Sequence, residues 1–185
     1  MRTFKGKQIY LRQMKFADWV DVHAYASKEI VCRFQPWGPN TEEQSQAFVQ
    51  QIIDDSQRIP RKRFVFAIVE QSSENMIGAG EFNIRSATNR SGEIAYIVHP
   101  DYWGKGIATE VAGLLVNFGF IECKLHRIYA TCDPRNIGSS TVLSRTGMTQ
   151  EGRLRDELRI KDGWRDSLVF GILEHEWGTM SSPNA

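Results

Sequence analysis

One stretch of the chain, residues 93–110, constrains the possible folds more than any other. It reads EIAYIVHPDYWGKGIATE. The apolar residues before Pro100 are typical of a buried strand, and the glycines at 104 and 106 are typical of a tight turn. After the turn, apolar residues recur at the spacing of one helical face: Val111, Leu114, Leu115 and Phe118. The sequence therefore predicts a strand, a glycine turn and a helix in direct succession.

Such a succession can bind a phosphate group. Glycines let the backbone approach a ligand, and the first N–H groups of a helix have no partner within it. Two common nucleotide motifs are absent from the sequence, because GxxxxGK[ST] does not occur and GxGxxG would need glycine at Thr109. Taken alone, such a turn is more often a simple connection between a strand and a helix.

The other apolar segments indicate a layered α+β domain. The pattern predicts strands at 8–12, 64–69, 76–84, 93–98, 127–132, 157–160 and 167–173, and helices at 16–27, 41–55, 137–146 and after Gly106. Thr41 and Gln44 have the spacing of a capping box. A strand meander followed by a strand–helix–strand unit favours a mixed sheet over a doubly wound one. We expect one domain at residues 1–178 and a flexible tail at 179–185.

Composition excludes several classes of protein. The 23 basic and 22 acidic residues give a net charge of +1, which argues against nucleic acid or an anionic membrane as the main partner. The three widely spaced cysteines (Cys32, Cys123 and Cys132) form no CxxC pair, so we expect no metal site and a reducing, cytoplasmic location. The longest apolar run, residues 111–121, is too short to span a bilayer.

Several further motifs occur in order along nearly the whole chain. Residues 103–108 match the pattern [RQ]-x-x-G-x-[GA] except at Trp103, and residues 136–148 match N-x-x-S…v-l-x-K-x-G-F with Arg145 and Met148 as departures. Short matches at 9–12, 151–152 and 162–166 complete the series. Together these motifs resemble the GNAT (GCN5-related N-acetyltransferase) superfamily, in particular its RimJ/RimL-like branch of ribosomal-protein N-terminal acetyltransferases, which often has tryptophan in place of the first Arg or Gln.

The resemblance implies a fold and a co-substrate site. The fold is a mixed, mostly antiparallel sheet of about seven strands, splayed in the middle to hold acetyl-CoA and flanked by about four helices. The backbone of Tyr96, Ile97 and Val98 would pair with pantetheine, and Asn136 would line the thioester end with Ser139. The implied pyrophosphate loop, whose amides from Gly104 onward are the binding groups, comprises Trp103, Gly104, Lys105, Gly106, Ile107, Ala108 and Thr109.

The implied reaction is direct attack of a primary amine on the thioester, which requires positioning, oxyanion stabilisation near Val98 and transfer of two protons. Glu93 is the first candidate for the general base, acting through water, and Glu81 is the second. An ion-paired or surface carboxylate is the alternative for each. Ser139 is the candidate proton donor, and a helix cap is its alternative role.

The resemblance favours a protein N-terminal α-amine as the acceptor. A small amine (a polyamine, amino sugar or aminoglycoside) is the alternative acceptor, and a non-catalytic CoA-binding sensor is the alternative class of protein. A homodimer is compatible with the sequence. The basic cluster formed by Arg58, Arg61, Lys62 and Arg63 is either a solvated turn or a contact for the CoA 3′-phosphate or an acidic substrate.

Overall fold

A mixed sheet of eight strands forms the centre of the computed structural model, which describes residues 3–180. The strands are β1 (Phe4–Lys5), β2 (Ile9–Gln13), β3 (Arg63–Glu70), β4 (Met76–Ser86), β5 (Ser91–Val98), β6 (Arg127–Cys132), β7 (Thr149–Ile160) and β8 (Gly163–Leu173). The helices are α1 (Trp19–Ala26), α2 (Glu29–Cys32), α3 (Glu42–Ser56), α4 (Ile107–Asn117), α5 (Ile137–Arg145) and α6 (Glu174–Met180). The spatial order of the strands is β1-β2-β3-β4-β5-β6-β8-β7.

The sheet opens between β5 and β6, its one parallel pair among the described strands. These strands are paired only at Ser91–Arg127, Gly92–Ile128 and Glu93–Tyr129. Beyond Glu93 they diverge, so the β6-facing edge of residues 94–98 has no strand partner within the described chain. The prediction of a mixed, mostly antiparallel sheet that is splayed in the middle is confirmed.

Two apolar clusters cover the two faces of the sheet. On one face, α4 packs against β4 and β5, and Phe118 makes edge-to-face contacts with the rings of Phe66 and Phe82 at 5.4 Å. On the other face, α1 and α3 contribute Val22 and Val49, which are almost fully buried. Burial of side chains of this size stabilises the fold by about 1.5–3 kcal/mol each. The first cluster also holds the start of α4 at the end of β5.

The predicted elements agree with the structure except where they are short or polar. Thr41 Oγ1 accepts a hydrogen bond from the Gln44 N–H (3.3 Å), and Gln44 Oε1 accepts one from the Thr41 N–H (2.9 Å), so the capping box is confirmed. The final hairpin extends over 149–160 and 163–173, well beyond the predicted 157–160 and 167–173. The reason is that β7 is an exposed edge strand with mostly polar residues, which leave no apolar alternation in the sequence.

Three short elements, β1, α2 and α6, were not predicted from the sequence, because each contains too few residues to establish a periodicity. The predicted tail at 179–185 overlaps the end of α6 at Thr179 and Met180, and its residues 181–185 lie outside the described residues. The single domain at 1–178 stays a prediction. None of the helices described here combines the length and hydrophobicity needed to cross a bilayer.

Candidate active site

The glycine turn lies between the end of β5 and the start of α4. Gly104 and Gly106 have φ angles of +75° and +79°, a conformation that residues with a side chain rarely adopt. A Cβ atom at either position would meet, apart from the glycine itself and its two chain neighbours, no described atom within 4 Å. The glycines are therefore required by the backbone conformation, and the space beside them is open.

The first backbone N–H groups of α4 directly follow the turn. The Glu110 N–H donates to the Gly106 carbonyl at 3.1 Å, which closes the first turn of α4. The N–H groups of Ile107, Ala108 and Thr109 precede this bond, so they have no carbonyl partner within the helix. They lie at the positive end of the helix dipole. These residues fit the pyrophosphate of acetyl-CoA, which would approach the open side of the two glycines.

Two side chains hold the turn in place from opposite directions. Trp103 Nε1 donates to the Val98 carbonyl at 2.7 Å and so ties the turn to the end of β5. Gln8 Nε2 donates to the Lys105 carbonyl at 3.3 Å, while the Gln8 N–H donates to Glu110 Oε1 at 2.9 Å. The tryptophan that departs from the general motif therefore has a structural role in positioning the loop.

A cavity of about 470 Å³ extends from the open edge of β5. Its walls come from the loop after α2, from β3, β4 and β5, and from the end of β6, the start of α5 and the first part of β8. Phe34 and Trp37 contribute aromatic surface. The charged residues that line the cavity are Arg63, Glu81, Glu93, Asp133 and Arg165, and Tyr96, Asn136 and Ser139 supply uncharged polar groups. The structure thus brings Glu93, Tyr96, Ile97, Asn136 and Ser139, which were predicted from the sequence, to one cavity.

Both candidate base carboxylates are ion-paired, but to different extents. Glu93 Oε2 accepts a hydrogen bond from Arg85 Nε at 2.6 Å and also pairs with Nη2 of that residue. Glu81 uses both oxygens, because Oε1 and Oε2 accept from Arg63 Nε and Nη2 at 2.9 and 3.0 Å and Oε1 also accepts from Asn83 Nδ2 at 2.8 Å. The two bonds of Glu93 converge on a single oxygen, so Glu93 is the less constrained of the two.

The uncharged polar groups form a second cluster across the opening. Asn136 caps α5, since its Oδ1 accepts from the Ser139 N–H at 3.0 Å. The cap of this helix is therefore Asn136, and the alternative role of Ser139 as the cap is wrong. The Ser139 hydroxyl lies 3.3 Å from the hydroxyl of Tyr96, and burial raises the pKa of Tyr96 above its usual value. The phenol therefore stays protonated at neutral pH, and its O–H can donate a hydrogen bond.

Sequence reasoning assigned only the backbone of Tyr96 to the site and did not identify its hydroxyl. The alternation of side chains along β5 contains the signal, because residues 94, 96 and 98 must share one face of the strand. Ile94 and Val98 are buried against α4. The Tyr96 ring lies on the same face, and its hydroxyl reaches Ser139 at the start of α5.

The basic cluster lies at the opposite end of β5 from the glycine turn. Arg63 pairs in register with Asn83, which pairs with Glu93, so the cluster is about five residues, or roughly 16 Å, from the level of Val98. Arg63 also contacts Asp55 at 3.2 Å, and Arg58 pairs with the same carboxylate. The pair between Arg63 and Asp55 binds the end of α3 to β3.

Among residues 3–180, no group of three or more His, Cys, Asp or Glu side chains is arranged to hold a metal ion. The site as described consists of backbone amides, ion-paired carboxylates and hydroxyl groups.

Comparisons with known proteins agree with this geometry. Residues 8–149 match the family model described as an acetyltransferase (GNAT) domain. The chain is 33% identical to the uncharacterized N-acetyltransferase YnaD of Bacillus subtilis over 92% of this chain and 96% of that protein. It is 30% identical to the spermidine N(1)-acetyltransferase of Escherichia coli K12, over 91% of this chain and 88% of that protein.

A solved structure extends the likeness to the fold. The ribosomal-protein-S5-alanine acetyltransferase from Vibrio fischeri has a TM-score of 0.78 and 25% identity, covering 96% of this chain and 99% of its own. The glycine turn, the splayed sheet and the family match over most of the chain lead to one assignment. This protein belongs to the GNAT family of acetyl-CoA-dependent N-acetyltransferases.

Proposed function

We propose that this protein transfers the acetyl group of acetyl-CoA to the α-amine at the N-terminus of a peptide or protein. The observation that carries the proposal is the ion pairing of both candidate bases, Glu93 with Arg85 and Glu81 with Arg63. A carboxylate whose oxygens already accept hydrogen bonds from a guanidinium has fewer lone pairs free to bind a bridging water. The site therefore favours an acceptor that needs little help in losing a proton.

An α-amine meets that requirement better than a lysine side chain. With a pKa of about 7.7–8.0, roughly a third of an α-amine is neutral at pH 7.5, whereas a lysine amine with a pKa of about 10.4 is neutral in about one molecule in a thousand. Only the neutral amine can attack the thioester. The likeness to a ribosomal-protein acetyltransferase supports the same acceptor class.

The co-substrate would lie along the open edge of β5. The amides from Gly104 to Thr109 would bind the pyrophosphate beyond the end of this strand, and the edge of Tyr96, Ile97 and Val98, which has no strand partner in the described chain, would pair with pantetheine. The thioester end would then lie beside the cavity that Asn136 and Ser139 line. Glu93 marks the other end of the same open edge, since it is the last residue of β5 that pairs with β6.

Each proton of the reaction has a proposed partner. A new N–C bond forms as the C–S bond breaks, and the amine releases a proton that Glu93 accepts through water. The leaving thiolate takes a proton from the Ser139 and Tyr96 pair, whose hydroxyls are 3.3 Å apart. Glu93 is preferred to Glu81 because both bonds of its ion pair use one oxygen.

A polyamine is the second candidate acceptor. The observation in its favour is the 30% identity to the E. coli spermidine acetyltransferase. The two candidates differ in the charge that the cavity must accommodate, because a polyamine carries several positive charges and a peptide N-terminus carries one.

The deciding experiment measures CoA release with three acceptors at equal concentration. They are a lysine-free peptide with a free N-terminus, the same peptide blocked at its N-terminus and carrying one internal lysine, and spermidine. We expect the highest kcat/KM for the first, with mass spectrometry locating the acetyl group on the α-nitrogen. A higher value for spermidine would establish the second candidate. Tight acetyl-CoA binding without turnover on any amine would indicate a CoA-binding sensor.

A further inference from the structure

We propose that the acceptor carries a carboxylate close to its reactive amine, and that Arg165 binds this carboxylate in the cavity. The inference rests on the proposed acetyl transfer and adds the chemistry that the acceptor must have. Arg165 has no part in the reaction steps given above. Its position, its hydrogen bonding and the charge balance of the cavity carry the inference.

Arg165 lies where the sheet has opened. On β8 it pairs in register with Leu158 of β7, and both residues line the cavity. The last β8 residue that pairs with β6 at this end is Leu168, opposite Cys132. Arg165 lies three residues nearer the start of β8 than Leu168, beyond the end of β6.

Two of the three nitrogens of the Arg165 guanidinium lack hydrogen-bond acceptors among residues 3–180. Its Nε and Nη1 atoms are buried and make no hydrogen bond to any residue between 3 and 180. Such donors are rare in folded proteins, because a buried donor without an acceptor loses its bond to water and gains nothing in return. Arginine also keeps its charge under all ordinary conditions. The group is therefore suited to an anionic partner that the described chain does not provide.

The carboxylates that line the cavity form ion pairs with other arginines. Glu81 pairs with Arg63, Glu93 pairs with Arg85, and Asp133 accepts from Arg135 Nη2 at 2.8 Å. Burial opposes the ionised form of Asp133, but the hydrogen bonds from Arg135 and the charges of Arg135 and Arg165 hold its pKa below the usual value.

Arg165, in contrast, has no ion pair with the residues described here. The charge left without a direct partner in the cavity is thus positive, which favours an anionic group on the acceptor and disfavours a polyamine. A carboxylate suits a guanidinium especially well, because its two oxygens match two parallel N–H donors.

Arg165 also lies on the side of the cavity where the reaction would take place. The thiol of Cys132 is a common neighbour: burial raises its pKa, while a hydrogen bond with Ser139 and the charge of Arg165 act in the opposite direction. Ser139 and Arg165 are therefore both close to Cys132. An acceptor whose carboxylate lies on Arg165 would hold its amine in the space that Ser139 and Tyr96 line.

Two sources could supply such a carboxylate. A free amino acid carries one beside its amine, and a peptide can carry one on an acidic side chain near its N-terminus. Two matched pairs of acceptors distinguish these sources. The first pair is an amino acid and its amide. The second pair is a peptide with glutamate at its second position and the same peptide with glutamine at that position.

The test compares kcat/KM for each pair in the unmodified enzyme, in R165Q and in R165K. We expect the enzyme to prefer the carboxylate member of one pair by about 10- to 100-fold, mainly through KM, and R165Q to remove that preference. R165K should keep part of it, because lysine retains the charge but not the planar fork. An unmodified enzyme without a preference in either pair, or an R165Q variant with an unchanged preference, would overturn the inference.

Equilibrium binding separates this inference from the proposed function. Calorimetric titration of each acceptor into CoA-saturated protein reports the carboxylate preference without any turnover. If the protein binds the carboxylate acceptor more tightly through Arg165 but does not acetylate it, only the proposed function is refuted. If the protein acetylates acceptors without preferring the carboxylate member, only the inference is refuted. Unchanged acetyl-CoA affinity shows that the R165Q variant is folded. If R165Q does not fold, R165K and the matched acceptors in the unmodified enzyme decide the question.

Discussion

The donor and acceptor halves of the site are built from different parts of the polypeptide. The donor half consists of the open edge of β5 and the amides of the glycine turn, all within residues 94–109. The acceptor half consists of side chains from β3 to β8, which span more than a hundred residues and are held by arginine–carboxylate pairs. Backbone groups bind the same ligand whatever side chains they carry, whereas a side-chain pocket changes with each substitution. We therefore expect the donor half to determine the co-substrate and the acceptor half to determine specificity.

The substitution Gly106→Asp should break the donor half most strongly. It introduces a side chain at φ +79° and places a negative charge at the helix N-terminus, where the phosphates would bind. We expect acetyl-CoA affinity to fall on the order of 100-fold or more, as measured by calorimetry. Gly152→Asp is the matched control, because Gly152 lies on the exposed strand β7 and a Cβ there would meet no described atom within 4 Å. Unchanged affinity in Gly106→Asp would refute the assignment of the glycine turn.

Glu93→Gln should affect the acceptor half alone. If Glu93 accepts the proton of the amine, kcat should fall by about tenfold at pH 7, where roughly a tenth of the α-amine is already neutral, with little change in acetyl-CoA affinity. The deficit should shrink as the pH rises, because a growing fraction of the amine is then already neutral. A pH profile of kcat tests this expectation, and Glu81→Gln is the matched variant. An equal loss at every pH would instead indicate that Glu93 positions Arg85 or the substrate.

Tyr96→Phe tests a residue that belongs to both halves. Its backbone is part of the donor edge, while its hydroxyl lies 3.3 Å from Ser139 on the acceptor side. Removing only the hydroxyl should lower kcat by about tenfold and leave acetyl-CoA affinity unchanged. Ser139→Ala is the companion variant, and the double variant should lose less than the sum of the two effects if the hydroxyls act together. A loss of acetyl-CoA affinity would place the hydroxyl in the donor half instead.

Trp103→Phe should have the smallest effect. The substitution keeps an aromatic ring but removes the donor that binds the Val98 carbonyl at 2.7 Å. One such bond corresponds to about a 2- to 10-fold change in acetyl-CoA affinity. Trp164→Phe, at an exposed position on β8, is the control and should have no effect. If Trp103→Phe also leaves the affinity unchanged, the tie between the turn and β5 does not contribute to binding.

The two halves also differ in how far they could be predicted from the sequence. The glycine turn, the strand before it and the helix after it were all predicted, since their residues are contiguous and their periodicity is local. The ion pairs of Glu93 with Arg85 and of Glu81 with Arg63 could not be predicted, because strand register determines which charges meet. The position of Arg165 was missed for the same reason, whereas the alternation of side chains along β5 contained a local signal for the Tyr96 hydroxyl.

The sequence by itself determined the longer apolar elements and the co-substrate motif, because helical and strand periodicities and the glycines of a tight turn are properties of neighbouring residues. Only the tertiary structure decided how the acceptor cavity is composed. Its opening depends on β5 and β6 parting after Glu93, and its charge depends on which arginine reaches which carboxylate. Arg165 shows the distinction most clearly. In the sequence it is one basic residue in a closing hairpin, whereas in the fold it is a partly buried cation beside the proposed reaction centre.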